Sequence, residues 1–347
     1  MKRVRLITAL LSLLAGSTLP AQVQVGAGAT ATAPGLTGAD LAVQAWNAQT
    51  RVAYKGYRLY FFDFGDGRRL QEEKIAVKPE GKGKVSFRLE LSAILDSRMK
   101  GRGGVLNLSL AQALFSMREG SNFKFRGFRI HNLDLALRNY SFRAQGEDKV
   151  AGRACRVLMV VPKDKDRRAW KVWIDTKTGL VLKYWEISPE GQVVSGMEME
   201  AQGLQVGPRT SFRDVGKWWR PSGKSRTFRS LGEAEKAFKA DAVVPSYLPW
   251  GYMLMEIRLA KSTAGRPFLV LTYTDGIDTF SVIQGRPQGK PDKVAPPVGG
   301  DLGSPLVIHR YRLGCLTQLW ATVQGRMIML VGRMSTQEVP LVFQTML

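Results

Sequence analysis

The chain has 347 residues, of which 44% are hydrophobic, and its 51 Lys and Arg against 29 Asp and Glu give a formal net charge of +22. This apolar content is enough for a packed core, so wholesale disorder is excluded, and the length is typical of about two domains. Two histidines and two cysteines are too few for a zinc cluster of Cys and His ligands or for a fold held by many disulfides.

The first 21 residues have the three parts of a secretory signal. Cations within residues 1–5 precede an apolar run at 6–15, and the small residue Ala21 ends the segment. Because the apolar run is shorter than the roughly 20 residues that span a bilayer, we predict cleavage near Ala21 and a periplasmic or secreted protein. An uncleaved anchor helix is the alternative.

Cleavage lowers the formal charge from +22 to +19, because Lys2, Arg3 and Arg5 are lost with the signal. Such a positive field favours an anionic membrane surface or an acidic partner protein. Solubility alone is the alternative. The cations are scattered along predicted strands instead of lying on one helix among stacking aromatics, so we expect no nucleic-acid binding.

After a flexible leader at 22–37, residues 38–206 are predicted to form a large domain of helices and antiparallel strands. Alternation of apolar and polar residues at 85–92 indicates a half-buried strand, and short Gly-containing turns indicate hairpins. Helices are predicted at 38–50, 106–117 and 130–140, and strands at 54–64, 70–78, 85–92, 140–145, 154–161, 168–175, 180–187 and 193–204.

Residues 207–239 are basic and rich in turn-forming residues, and we predict a linker plus edge structure, with one short helical turn at 233–238. Residues 240–347 are predicted to form a smaller C-terminal domain with a long exposed loop at 285–303 and a last helix that Pro340 interrupts. Its strands are predicted at 252–259, 268–274, 279–284, 306–313, 315–323 and 326–333.

Two stretches, in order, resemble the MucB/RseB family of periplasmic regulators of envelope-stress sigma factors. The first runs through N-Y-S-F-R at 139–143, V-A-G-R-A-C-R-V-L at 150–158, W-K-V-W-I-D at 170–175 and T-G-L-V-L-K at 178–183. The second joins L-P-W-G-Y at 248–252 to L-T-Y-T-D-G-I-D-T-F-S-V at 271–282. The first stretch is shared with the wider superfamily of lipoprotein carriers such as LolA, and the second is more specific to MucB/RseB.

The resemblance implies an α+β fold: a large half-open antiparallel β-barrel closed by helices, LolA-like, and a smaller mainly-β α+β domain. It also implies that the protein docks on the periplasmic region of an anti-sigma factor and senses a lipid or amphiphile in a hydrophobic cavity. The alternative is a periplasmic carrier of lipid or lipoprotein acyl chains.

No phosphate loop, nucleophile elbow or H-E-x-x-H motif is present, so we predict no enzyme, no catalytic residue, no metal and no cofactor. The Asp pairs at 63 and 66 and at 275 and 278 flank glycine and are interpreted as turn formers. His131 and His309 are expected to be surface or strand residues.

Binding residues are predicted from aromatic and apolar side chains. The ligand cavity is predicted to include Tyr57, Leu59, Phe61, Phe87, Leu89 and Trp173. Simple core packing is the alternative for these residues. A partner surface is predicted at Trp218, Trp219, Trp250 and Tyr252. For the pair at 218 and 219, packing between the domains is the alternative. In an oxidising compartment Cys155 and Cys315 could form a disulfide between the domains, or both could be buried thiols.

Overall fold

The computed structural model describes residues 36–63, 67–97, 108–218, 225–261, 265–286, 309–313, 316–323, 326–334 and 338–346. The predicted secretory signal and most of the predicted leader lie outside these ranges. No helix within them has both the length and the apolar character needed to cross a bilayer.

The first helix, α1 (Gly38–Arg51), begins with a capping box. The Thr37 hydroxyl accepts the backbone N–H of Asp40 at 3.2 Å, and the Asp40 carboxylate accepts the N–H of Thr37 at 2.8 Å. Leu41 and Ala45 are buried on the face that packs into the core. The predicted helix at 38–50 is therefore present.

Within the described ranges, a nine-stranded antiparallel sheet (the large sheet) has the order β3-β2-β1-β8-β7-β6-β5-β4, with β9 beside β1. Because β3 and β4 do not pair in the described chain, the sheet is not closed, and the half-open barrel stays a prediction. The strands are β1 (Tyr54–Asp63), β2 (Arg68–Gly81), β3 (Lys84–Asp96), β4 (Tyr140–Val150), β5 (Arg153–Pro162), β6 (Ala169–Asp175), β7 (Val181–Ile187), β8 (Val193–Met199) and β9 (Gln205–Val206).

Helices α2 (Leu108–Met117), α3 (Glu119–Phe125) and α4 (Leu133–Asn139) connect β3 to β4. Phe87 of β3 stacks on Phe123 of α3 with ring centroids 4.0 Å apart, which attaches α3 to the sheet. Helix α3 is not among the predicted helices. The sheet, β1–β9, and helices α1–α4 are called the large unit below.

The second sheet (the small sheet) is also antiparallel and has the order β10-β11-β12-β13-β16-β15-β14 in the described chain. With helices α5 (Leu231–Phe238) and α6 (Glu338–Gln344) it forms the small unit. The strands are β10 (Arg226–Phe228), β11 (Met253–Lys261), β12 (Pro267–Thr274), β13 (Thr279–Gly285), β14 (His309–Leu313), β15 (Leu316–Val323) and β16 (Arg326–Gly332).

Two segments of the small unit are more regular than the sequence-based expectation. Residues 226–238, predicted as linker plus edge structure with one helical turn, form the edge strand β10 and the longer helix α5, and Phe228 and Phe238 are buried in the small unit's core. Pro340 does not interrupt the last helix, because α6 begins at Glu338. Pro340 is thus in the first turn, where backbone N–H groups have no intrahelical acceptor and proline is tolerated.

Gly196 of β8 lies at the centre of the large sheet, between Phe61 of β1 and Trp185 of β7. A Cβ atom at this position would lie 2.5 Å from the Phe61 ring and 2.7 Å from the carbonyl oxygen of Tyr184. The Phe61 ring therefore lies across the sheet only because residue 196 has no side chain.

We expect Gly196→Ala to lower the free energy of unfolding by about 1–3 kcal/mol, because the new methyl group overpacks this site. Gly232→Ala in α5 is the control, since a Cβ there meets no atom within 4 Å. A helical alanine should raise stability by about 0.5–1 kcal/mol. Urea denaturation measures both changes, and equal midpoints for the two variants would contradict the role of Gly196.

Candidate functional site

The hairpin between β12 and β13 of the small unit inserts its tip, residues 275–278, against the large unit. The carbonyl oxygen of Gly276 accepts the backbone N–H of His131 at 2.7 Å and that of Asn132 at 3.2 Å. Gly276 has a φ of 108°, and a Cβ there would lie 2.3 Å from the backbone nitrogen of Ala136. Only glycine fits this close approach of two backbones.

Asp275 closes the hairpin with one carboxylate oxygen and holds the large unit with the other. Its Oδ1 accepts the N–H groups of Ile277 at 3.0 Å and Asp278 at 2.8 Å. Its Oδ2 accepts the Tyr140 hydroxyl at 2.6 Å and an Arg167 guanidinium N–H at 2.9 Å. The turn-forming role predicted for Asp275 is present, and the contact with the large unit is additional.

Two arginines, one from each unit, are buried among opposite charges at this junction. Arg167 of the large unit contacts Asp275 and lies 3.3 Å from the Glu338 carboxylate of the small unit. Arg333 of the small unit lies 2.6 Å from Glu186 of the large unit and 3.3 Å from Asp278. Charges are paired across the boundary in both directions. These ionic contacts, with the Gly276 contacts, are called the junction network below.

Aromatic rings and backbone carbonyls complete the surroundings of both guanidinium groups. Arg167 lies 4.8 Å from the Tyr252 ring centroid, and Arg333 lies 4.5 Å from that of Trp170. Arg167 also donates to the carbonyl oxygen of Trp250 at 2.5 Å. Arg333 donates to the carbonyl oxygen of Arg126. Arg126 is a buried residue of the large unit whose side chain pairs with Glu73.

A second buried ionic cluster lies inside the large unit. Glu73 accepts from Arg58 at 2.9 Å and also pairs with Arg126 and with the amide of Gln71. Arg126 lies 4.1 Å from the Tyr60 ring centroid. The side of the large sheet that faces the helices therefore contains fixed charges as well as apolar residues.

Burial and neighbouring charges shift the acids of the junction in opposite directions. Burial by itself would raise the pKa of Glu186, but Arg333 and Arg168 outweigh this effect and hold the pKa at about 2. Burial raises the pKa of Asp278 to about 7, although Arg333 opposes the rise. Glu186 is ionised at neutral pH, whereas Asp278 gains and loses its proton close to neutral pH.

A cleft of about 880 Å³ opens beside the junction network and is lined by both units. Its walls are the end of α1, the turn between β2 and β3, the segment 124–131, and residues of β10 and β11. Four basic side chains line it against one acid: Arg51, Lys82, Lys124 and Arg129 against Glu256. Its apolar lining includes Trp46, Phe125, Ile130 and Met255.

The residues predicted for a ligand cavity lie on two opposite faces of the large sheet. The ladder register places Leu59, Glu198, Lys183 and Trp173 in one row on a single face. Tyr57 and Phe61 share this face through strand alternation and are half-buried. Phe87 and Leu89 are buried in the core on the other face. Strand geometry therefore does not bring all six residues into one cavity.

The residues predicted for a partner surface are also in different environments. Trp250 is 54% exposed, whereas Tyr252 is 6% exposed and donates its hydroxyl to the carbonyl of Arg333. Trp218 is half-buried with its ring centroid 5.3 Å from that of Phe212. Trp219 lies outside the described residues.

The remaining candidates are a cysteine pair and two histidines. Cys155 has a free, buried thiol whose pKa burial raises to about 11, and Cys315 is outside the described ranges. The disulfide therefore stays a prediction that the structure does not support. His131 is half-buried in the loop before α4, and burial with the charges of Arg129 and Lys124 lowers its pKa to about 3. The side chain of His309 is outside the described part of the chain.

Comparison with known proteins confirms the resemblance predicted from the sequence. Residues 112–212 match the model of the MucB/RseB N-terminal domain. Over 144 residues the chain is 29% identical to the sigma factor AlgU regulatory protein MucB of Pseudomonas aeruginosa, and over 145 residues it is 26% identical to the sigma-E factor regulatory protein RseB of Escherichia coli K12. Each alignment spans 41% of this chain and 43% of the relative. This stretch of the chain is therefore similar to the N-terminal domain of MucB/RseB proteins.

Solved structures show that the likeness in fold extends further along the chain. A crystal structure of MucB in complex with MucA(peri) superposes on 88% of this chain and 96% of that one, with a TM-score of 0.53 and 20% identity. The MucA/MucB complex of Pseudomonas aeruginosa gives a TM-score of 0.52 at 18% identity. The chain therefore shares the fold of MucB across both sheets.

We expect Gly276→Val to separate the two units without unfolding either core, since the added carbons would collide with the backbone of α4. Gly265→Val is the control, because its φ is also positive, at 76°, but a Cβ there meets no atom within 4 Å. Differential scanning calorimetry should show two transitions for Gly276→Val and one for the control. One transition at the wild-type temperature for Gly276→Val would contradict a tightly docked hairpin.

We also expect the titration of Asp278 to stabilise the junction as the pH falls from about 7 to about 4, whereas the titration of His131, whose folded pKa of about 3 lies below its ordinary value of 6.5, acts in the opposite direction over the same range. The folded pKa of Asp278, about 7, lies above its ordinary value of 3.8, so the folded state binds the proton more tightly than the unfolded state does. The charged groups that face it are Arg333, Asp275, Glu186 and Arg167.

Below about pH 4 the protein should lose stability, because Glu186 has its pKa lowered from 4.5 to about 2 and loses its ion pair as it is protonated. Urea denaturation at a series of pH values measures this profile. Asp278→Asn keeps a side-chain oxygen but does not titrate, so its stability relative to wild type should fall as the pH is lowered from 7 to 4. An unchanged slope in this variant would assign the effect to another group.

Proposed function

We propose that this chain is an exported regulatory protein that docks on the periplasmic region of an anti-sigma factor. The observation that carries the proposal is the match of residues 112–212 to the MucB/RseB N-terminal domain. Relatives that share this match are named as regulatory proteins of sigma factors, and MucB has been crystallised with MucA(peri). The predicted secretory signal is consistent with a periplasmic site of action.

The chemistry of the junction supports a binding role. Asp275, Glu186, Arg167 and Arg333 neutralise one another and are held by hydrogen bonds within the fold. Groups engaged in this way stabilise an arrangement of two units and present no free base or nucleophile to a substrate. The cleft beside them, by contrast, is lined by four basic side chains and one acid together with apolar side chains.

We further propose that an amphiphile acts on the large sheet and weakens the complex with the anti-sigma factor. Support comes from the half-buried apolar side chains Tyr57, Leu59 and Phe61 on the face of the sheet opposite Phe87 and Leu89. On the same face Trp173 is 3% exposed, and Phe61 packs beside a small buried cluster. An acyl chain would bury this surface, and a ligand that binds one conformation better shifts the population toward it. Phe87 and Leu89 have no part in this proposal, because they are core residues.

Titration calorimetry of the mature chain with the periplasmic region of the anti-sigma factor encoded in the same genome tests the main proposal. We expect a one-to-one complex with a Kd of about 1 µM or tighter, the range of specific regulatory complexes. The periplasmic region of an unrelated single-span protein serves as the control. No heat of binding, together with lipid that co-purifies at one equivalent, would instead indicate a lipid or lipoprotein carrier.

A further inference from the structure

Arg333 of the small unit lies on two side chains that face each other across strands β6 and β7 of the large sheet. The register of these strands places Trp170 opposite Glu186. The Arg333 guanidinium lies 4.5 Å from the Trp170 ring centroid and 2.6 Å from the Glu186 carboxylate. A third contact, the hydrogen bond to the carbonyl oxygen of Arg126, comes from the segment that follows α3. The surroundings of Arg333 therefore include both the sheet and a segment that packs over it.

Edge-to-face aromatic contacts connect these surroundings to the Arg126 side chain. The ring centroid of Trp170 lies 5.4 Å from that of Tyr184, and the Tyr184 centroid lies 6.4 Å from that of Tyr60. The Arg126 guanidinium lies 4.1 Å from the Tyr60 centroid. Because the carbonyl group of Arg126 accepts from Arg333, the contacts of these five buried residues close into a circle, called the coupling ring below.

One carboxylate determines where the Arg126 side chain lies. Glu73 is 0% exposed and pairs with the guanidinium groups of Arg126 and Arg58, which are 8% and 7% exposed. A buried arginine is costly when its counter-charge is absent. Loss of the negative charge at Glu73 would therefore drive the Arg126 side chain away from the sheet and toward water.

The Arg126 side chain is also the main anchor of the carbonyl group that binds Arg333. This carbonyl belongs to the peptide group between Arg126 and Gly127, and glycine leaves the backbone free to rotate. A larger residue is not accommodated there, because a Cβ at position 127 would lie 2.9 Å from the Tyr184 hydroxyl. The position of the carbonyl group thus depends on the side chain of residue 126.

We propose that Arg126 is a positioning residue that couples the helix-facing side of the large sheet to the docking of the small unit. Its guanidinium follows the charge of Glu73, and its carbonyl group holds Arg333. An event on the helix-facing side, such as displacement of α3, opens the coupling ring and loosens the docking without reaching the junction network itself. The inference concerns the fold and does not rest on the proposed function.

Arg126→Met tests the coupling, because it removes the guanidinium and keeps the carbonyl group that binds Arg333. Amide hydrogen exchange reports on the docking through His131 and Asn132, whose N–H groups bind Gly276 across the junction. We define the exchange ratio as the exchange rate at residues 131–132 divided by the rate in β6. This ratio should rise about 10-fold or more in Arg126→Met. Equal acceleration at both places would assign Arg126 a purely structural role and overturn the proposal.

Arg153→Met is the matched control. Arg153 pairs with the buried Asp175 at 2.8 Å, so this variant also leaves a buried charge without its partner. In the described chain this pair has no bond to the small unit. We expect lower stability of the large unit and an exchange ratio within about twofold of wild type. A rise equal to that of Arg126→Met would show that any loss of charge pairing loosens the junction, which contradicts a specific role for Arg126.

Glu73→Gln tests the charge separately from the volume of the side chain. Glutamine has almost the shape of glutamate but no charge, so Arg126 and Arg58 lose their counter-charge while the packing is kept. We expect the exchange ratio to rise in the same direction as in Arg126→Met. An unchanged ratio would show that the charge of Glu73 does not position Arg126, and this part of the proposal would be wrong.

A double-mutant cycle with Arg333→Met tests whether Arg126 acts through Arg333. Arg333→Met removes the donor to the Arg126 carbonyl and should itself raise the exchange ratio. Adding Arg126→Met to this variant should then change the ratio by less than about twofold, because the contact between the two residues is already lost. Full additivity of the two effects would overturn the coupling, even though each single variant loosens the junction.

Discussion

Burying a charged group is costly unless an opposite charge and hydrogen bonds replace the water that it loses. The arrangement of the two sheets depends on how the junction network meets this constraint. Arg167 of the large unit pairs with Asp275 of the small unit as well as with Asp164 of its own unit, and Glu186 pairs with Arg333 of the small unit as well as with Arg168 of its own unit. Removing one partner from such a pair typically costs about 3–5 kcal/mol, because the other charge stays buried. Each unit thus completes the charge pairing of the other, and the geometry of the guanidinium groups restricts how the units can meet.

The tip of the β12–β13 hairpin shows what can and what cannot be inferred from sequence. Asp beside Gly predicts a tight turn, and the contacts of Asp275 Oδ1 with the N–H groups of Ile277 and Asp278 agree with that prediction. The other oxygen binds Tyr140 and Arg167, more than 100 residues earlier in the chain. A turn can be inferred from the few neighbouring residues that form it. A contact between two sheets depends on how the sheets dock, and the spacing of residues in the chain does not show this.

In the core of the large sheet, too, some contacts can be inferred from the sequence and others cannot. Alternation along β1 predicts that Tyr60 and Phe62 share a face, and both are buried. By the same alternation Arg58 points to that face, where it pairs with Glu73. An inward Arg on one strand and an inward Glu on its neighbour are a recognisable signal of a buried ion pair, and that signal can be found only after the strands have been paired in register. A cavity predicted from aromatic content alone misses the charges that occupy this side of the sheet.

A cleft whose walls belong to two units links ligand binding to the docking of those units. A partner that contacts β11 and the 124–131 segment at once binds the docked arrangement more tightly than a separated one, and it therefore stabilises that arrangement. Conversely, any change that loosens the junction network separates the two walls and lowers the affinity for that partner. His131 connects the two features directly, since its backbone N–H binds Gly276 while the residue lines the cleft. A signal need not enter the cleft to release a bound partner, because shifting the docking equilibrium of the two sheets is enough.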